Sequence, residues 1–153
     1  MGFCDKGGVA FSSETNEWST PQDLFEELNE EFGFTIDVAA TAENAKCERY
    51  YTAADDGLKQ SWGGESVFCN PPYGRQIGRW VEKAAREAEK PGTTVVLLIP
   101  SRTDTSYFHD FLYRRAEIRF IRGRIRFTRE DGATGRAPFP SMVAIFRSEQ
   151  QCH

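Results

Sequence analysis

Residues 94–99, Thr-Val-Val-Leu-Leu-Ile, form an unbroken apolar and largely β-branched run with no polar alternation. A strand of that kind cannot turn either face to water, so it belongs inside a sheet covered on both sides. The segments around it switch between strand and helix periods. Residues 22–32 place Leu24, Leu28 and Phe32 on one stripe with Phe25 beside them. Thr20 offers an N-cap, Pro21 suits the first helical position and Gly33 ends the helix. Residues 34–40 read as a buried strand running into a turn, and residues 66–69 as a second strand. Residues 76–89 read as an amphipathic helix through Ile77, Trp80, Val81, Ala84 and Ala88. A short strand near 49–52, a helix over 105–115 and strands over 117–127 and 142–147 complete the pattern. The alternation predicts an α/β fold with a mostly parallel sheet, and such sheets bind ligands beyond the carboxyl ends of their strands.

The chain has 153 residues, 39% of them hydrophobic, enough for one core and too few for two ordinary domains. Twelve Phe among twenty aromatic side chains argue against disorder. No apolar run nears the ~20 residues of a membrane helix, and the first residues lack the apolar core of a signal peptide. A cytoplasmic protein with no membrane partner is expected. Cys4, Cys47, Cys69 and Cys152 are scattered, with no C-x-x-C pair and only two histidines. Reduced thiols are expected, with neither a disulfide framework nor a metal site. Residues 1–17 read as a flexible N-terminal arm, 18–148 as a single domain and 149–153 as a tail.

The formal net charge of −4 conceals a division. Residues 1–65 carry 14 acidic and 4 basic side chains, a net −10, and residues 66–153 carry 9 acidic and 15 basic, a net +6. Arg114, Arg115, Arg119, Arg122, Arg124, Arg126, Arg129 and Arg136 crowd one short stretch that contains no lysine. Guanidinium groups suit bidentate contact with phosphates and base edges, so a polyanion against one face competes with a merely solvated arginine-rich hairpin.

The strand at 66–69 stops at Asn70-Pro71-Pro72-Tyr73. Two prolines fix φ twice and donate no N–H, which makes the turn stiff and leaves its carbonyls to accept hydrogen bonds. Asn70 adds a side-chain carbonyl and Tyr73 an aromatic face. Acceptors converging beside a π-surface suit an exocyclic amine on a planar ring, holding its N–H bonds while its lone pair meets an electrophile. The tetrapeptide resembles the amino-methyltransferase motif, whose bearers methylate adenine N6, cytosine N4 or glutamine N5 with S-adenosylmethionine. Such transfer works by alignment and electrostatics, so the lack of a Ser-His-Asp set is expected.

At the end of the first strand, Asp37 is followed by Val38, Ala39 and Ala40. Small residues let a ligand approach the backbone; Asp37 either receives an ammonium group or serves as a turn former. Asp56-Gly57-Leu58 resembles the later acidic motif of these methyltransferases, beside the adenine ring, with turn chemistry in Asp-Asp-Gly as the competing reading.

Taken in order, Trp18-Ser19-Thr20-Pro21, Asp37-Val38-Ala39-Ala40, Asp56-Gly57-Leu58 with Trp62, Asn70-Pro71-Pro72-Tyr73-Gly74, Pro100-Ser101-Arg102-Thr103-Asp104, Gly123-Arg124-Ile125-Arg126-Phe127 and Ala137-Pro138-Phe139-Pro140-Ser141 resemble the phage-encoded DNA N6-adenine methyltransferase family. The usual Gly-x-Gly of the first cofactor motif is replaced here by Ala39-Ala40-Thr41, a small-residue form usual in that family. The resemblance implies a reduced, three-layer Rossmann-like methyltransferase fold with an antiparallel C-terminal strand, and S-adenosylmethionine as cofactor. It implies cofactor contacts from Thr20, Pro21, Asp37, Ala39, Asp56, Leu58 and Asn70, and a catalytic turn of Asn70, Pro71, Pro72 and Tyr73. DNA is the implied partner, held by Arg102, Arg119, Arg122, Arg124, Arg126 and Phe127; Phe127 and Phe139 are candidates to face Tyr73 across a flipped base, with core packing the favoured competing role for either. A monomer or weak dimer in the host-cell cytoplasm is expected. Methylation of cytosine N4 or of RNA, and a non-catalytic DNA- or nucleotide-binding module, are the competing readings.

Overall fold

The computed structural model describes residues 19–128 and 133–148. The arm at 1–17, the tail at 149–153 and Arg129 lie outside the described residues. Along the chain come α1 (Gln22–Phe32), β1 (Ile36–Asp37), β2 (Ser66–Cys69), α2 (Ile77–Glu87), β3 (Thr94–Pro100), β4 (Glu117–Phe120), β5 (Arg126–Thr128), β6 (Thr134–Arg136) and β7 (Ser141–Phe146). Five strands form one sheet in the order β1-β2-β3-β7-β4, and β5 and β6 form a separate two-stranded ribbon. β1, β2 and β3 are parallel, and β7 runs antiparallel to both of its neighbours. Four strands therefore share one direction, and the last strand of the chain, inserted between β3 and β4, opposes them.

The seven residues of β3 are all buried, as its unbroken apolar run requires. Phe25 of α1 meets Phe68 of β2 edge-on at 5.2 Å, so α1 covers the face that Phe68 presents. Within α2, Ile77, Trp80, Val81 and Ala84 are buried, and Trp80 stacks on the fully buried Trp62 at 6.3 Å. Trp62 is tied at two points: its backbone N–H donates to Glu87 Oε1 (2.6 Å) and its indole N–H to the Gly57 carbonyl (3.0 Å). Burial works against the Glu87 charge, but that N–H together with Lys90 and Lys83 holds its carboxyl below the usual range.

The structure departs from the sequence pattern in four places. Pro21, not Thr20, occupies the N-cap of α1, with no side-chain cap; Gly33 closes the helix in the left-handed region and donates to Asn29 O, as expected. Residues 49–52 make no strand of their own, although Asp37 N–H bonds to Arg49 O and Tyr51 N–H to Asp37 O. The helix expected over 105–115 reduces to a wide turn at Phe108–Leu112, closed by the Tyr113 N–H on Phe108 O. The strand expected over 117–127 breaks around Gly123 (φ 77°), so that β4 joins the main sheet and β5 the ribbon.

Candidate functional site

A hollow of about 730 Å³ opens beyond the carboxyl ends of β1 and β2, within the range of small-molecule sites. Three walls enclose it: the loop after β1 (Val38, Ala39, Ala40, Thr41, Ala42, Asn44), the loop before β2 (Thr52, Ala53, Ala54, Asp56, Gly57, Leu58), and Asn70 and Pro72 with Gln76 and Trp80. Of the residues expected to hold a cofactor, Ala39, Asp56, Leu58 and Asn70 line it, and Thr20, Pro21 and Asp37 do not.

The two loops fit because of what they lack. A Cβ on Gly57 would stand 2.3 Å from Val38 O, so only glycine lets them close on each other. Asp56 enters this contact with φ 59°, a left-handed conformation that Asp tolerates better than most, and its side chain accepts from Leu58 N–H (3.2 Å). Asp56 thus caps a short turn and also lines the hollow.

Asp37 differs from expectation. It is 3% exposed, and its carboxylate accepts from the backbone N–H groups of Lys46 (3.0 Å) and Ala39 (3.3 Å). Burial raises its pKa against the pull of those bonds and of the Lys46 charge. The carboxylate is turned onto its own loop, where it shapes the wall by tying residues 39 and 46 together.

In the turn after β2, Pro71 is buried, Pro72 is half-buried, and no described residue donates to either carbonyl. Asn70 Nδ2 donates to Thr20 Oγ1 (3.0 Å), which fixes the amide with its carbonyl oxygen on the opposite side. Thr20 is buried for this contact. Tyr73 corrects the expectation of an open aromatic face. It packs inward, its hydroxyl donating to Leu98 O (3.1 Å) and its ring meeting Phe139 at 5.3 Å and Phe127 at 6.2 Å, both edge-to-face. Burial pushes its phenol well above the usual range. Phe127 and Phe139 are both buried, so they stand beside Tyr73 as core residues with no open slot between them. Ser19 pairs with Thr128 of β5 through two backbone bonds, so the ribbon, Thr20 and Asn70 form a continuous chain of contacts.

The arginines divide. Arg119 is not free for a partner: it binds Glu31 through two 2.7 Å bonds and Glu117 through a third, and Arg147 joins the same two carboxylates. Arg122, Arg124 and Arg126 are exposed, with Arg124 donating to Ala137 O at 3.4 Å. Arg102 is exposed, its guanidinium 5.9 Å from the Phe139 ring, and makes no ion pair with Asp104. Sequence reasoning missed Trp80 and Gln76 in the hollow; the helical stripe accounted for Trp80 as core, and nothing local marked Gln76.

Among the described residues there is no cluster of side chains able to hold a metal ion, and no helix long and apolar enough to cross a membrane. The model of a family described as DNA N-6-adenine-methyltransferase (Dam) matches residues 9–152. A DNA N-6-adenine-methyltransferase of Escherichia phage T1 is 34% identical over 106 residues, which make up 68% of this chain and 44% of the phage protein. YfdM of Escherichia coli strain K12, provisionally named a methyltransferase, is 38% identical over 65 residues, 38% of this chain and 71% of YfdM. The matched region thus spans less than half the length of the phage T1 relative.

Proposed function

The chain belongs to the DNA N-6-adenine-methyltransferase family, and from that premise we propose that it moves a methyl group from S-adenosylmethionine to the N6 amine of adenine in DNA. The observation that carries the reading is the placement of Asn70 and Pro72 in the wall of a ligand-sized hollow rich in small residues. Residues 18–148 act as one catalytic domain on a reduced Rossmann-like methyltransferase fold, a reading supported by the ligand-sized hollow at the carboxyl ends and by β7 between β3 and β4.

The hollow suits the cofactor. Ala39, Ala40 and Gly57 allow close approach to backbone, Trp80 and Leu58 offer apolar cover for a purine, and Asp56, Asn44 and Gln76 supply polar groups. When bound, S-adenosylmethionine supplies an electrophilic methyl on a sulfonium. The chain's own task is to hold an amine in line with it. Asn70 Oδ1 and the carbonyls of the diproline turn accept the amine's N–H groups, and they favour the positive charge that grows on nitrogen. Thr20 keeps the Asn70 amide oriented. Pro71 and Pro72 remove the freedom that would blur the alignment. Tyr73 anchors the turn to β3 through Leu98 in this conformation, and a base that stacks on it must displace Phe127 or Phe139.

Incubation with labelled S-adenosylmethionine and unmodified genomic DNA, followed by nucleoside mass analysis, tests this. N6-methyldeoxyadenosine is expected. N4-methylcytosine as the sole product would reassign the acceptor, and no methylated nucleoside would leave only a binding role.

A further inference from the structure

Phe120 is the most exposed large apolar side chain among the described residues, at 67%, and makes no ring contact with any of them. One exposed aromatic is ordinary, so its place in the fold decides. It ends β4, a strand with a neighbour on one side only. The register puts Phe120 opposite Met142, and Met142 opposite Ile99, so Phe120 stands in the same row as Ile99 of β3. Cys69 pairs with Leu97, which puts Asn70 one row away, level with Leu98. Phe120 and the candidate catalytic turn therefore share the carboxyl rim of the sheet. Three strand steps separate β2 from β4, roughly 14 Å at ~4.8 Å per step, comparable with the ~12 Å width of a major groove.

Cations follow it directly. Arg122 and Arg124 are exposed on the loop that leaves Phe120, and Arg126 faces Arg136 across the ribbon, both exposed. None of the four makes an ion pair among the described residues. Like charges opposite one another on a ribbon repel, a cost that a bound phosphate reverses.

Resting on the reading of the protein as a DNA adenine methyltransferase, we propose that Phe120 is a wedge that enters the duplex when the target adenine leaves it, with Arg122, Arg124 and the Arg126–Arg136 pair gripping the adjacent phosphates. The adenine N6 amine is paired inside duplex DNA, so the base has to swing out of the stack before it can reach Asn70. An apolar ring is the group that fills or pries open a base step. On single strands there is no stack to open and Phe120 has nothing to do.

The test compares methylation of unmodified genomic DNA in native and heat-denatured form. Phe120→Ala should be at least about tenfold slower on native DNA and within about twofold of the parent on denatured DNA, because only the duplex needs a wedge. Phe120→Leu keeps apolar bulk and should retain most of the native-DNA rate. Both variants should melt at the parent temperature, given the exposure of the side chain. Parent-like action of Phe120→Ala on native DNA, or equal losses on both forms, overturns the wedge. Parent protein active on denatured DNA alone overturns it too, while leaving methyl transfer intact. Parent protein that methylates neither form removes the underlying reading itself.

Discussion

Thr20 and Asn70 lie fifty positions apart in the chain and meet in one 3.0 Å hydrogen bond. An asparagine amide is nearly symmetric in shape and opposite in polarity at its two ends, so reversing it would present two donors to an amine that needs an acceptor. The Thr20 hydroxyl accepts from Nδ2 and holds the amide in the orientation with Oδ1 directed away from Thr20. Thr20→Val keeps the volume and removes the acceptor. We expect kcat to fall about tenfold through loss of alignment, with cofactor Kd unchanged and Thr20→Ser restoring the rate. Asn70→Ala deletes the acceptor itself and should cost about a hundredfold or more. Single-turnover rates beside cofactor titration separate the two effects; a Thr20→Val protein that turns over normally would show that the bond serves packing alone. Asp37 illustrates the opposite case. Its position after a strand suggested a ligand contact, but its burial and its bonds to Ala39 and Lys46 make it a loop-shaping residue.

At the scale of elements, one clamp joins three of them. Glu31 of α1, Glu117 and Arg119 of β4 and Arg147 just after β7 share four carboxylate oxygens, and both guanidinium groups lie over the Phe32 ring, at 5.7 and 5.2 Å. The bonds from Arg119 hold the Glu31 pKa at about 2, from an ordinary 4.5. Because the folded-state value is depressed, its contribution to stability is present above about pH 4.5 and is lost as the pH falls towards 2. Glu31 is partly exposed, so the loss should stay near the ~1 kcal/mol of a solvated ion pair, and Glu31→Gln should flatten that part of the acid-stability curve. Denaturant melts of both proteins between pH 5 and 2 check this; parallel curves would mean the clamp adds nothing. None of this was legible in the sequence, where Arg119 sits among arginines and its partner Glu31 lies 88 positions away. What could be read was local: the apolar run at 94–99, the strand at 66–69 and the helical stripe from Ile77 to Ala84, where hydrophobic period and burial coincide. The break at Gly123 is not legible because charge alternates with Ile and Phe on both sides of it, and only the choice of strand partner separates β4 from β5. The inward packing of Tyr73 is illegible for a related reason, since its neighbours Phe127 and Phe139 arrive from the far end of the chain.

At the scale of the whole molecule, the hollow and the exposed arginines draw on different parts of the chain. The hollow is walled largely by residues before position 65, the net −10 part, and the proposed donor it would hold carries positive charge on its sulfonium. The rim loop and the ribbon come from the net +6 part, where Arg122, Arg124, Arg126 and Arg136 are exposed. A net charge of −4 therefore does not repel a polyanion from the face that matters, because screening limits the acidic half to about a Debye length, ~8 Å at physiological salt. The consequence is measurable in the salt dependence of DNA binding. Each phosphate neutralised contributes about −0.9 to the slope of log affinity against log salt, so replacing Arg122, Arg124 and Arg126 together by Gln should lower the slope by roughly 2 to 3 and weaken binding at low salt. Replacing Arg119 should leave the slope alone, because its guanidinium already belongs to Glu31 and Glu117. The contrast between these arginines, close in sequence and different in partner, is the decisive part of the measurement. If the triple variant kept the parent slope, or if Arg119 alone changed it, the polyanion would have to lie against some other face, and the rim would lose both its electrostatic role and the phosphate contacts assigned to it.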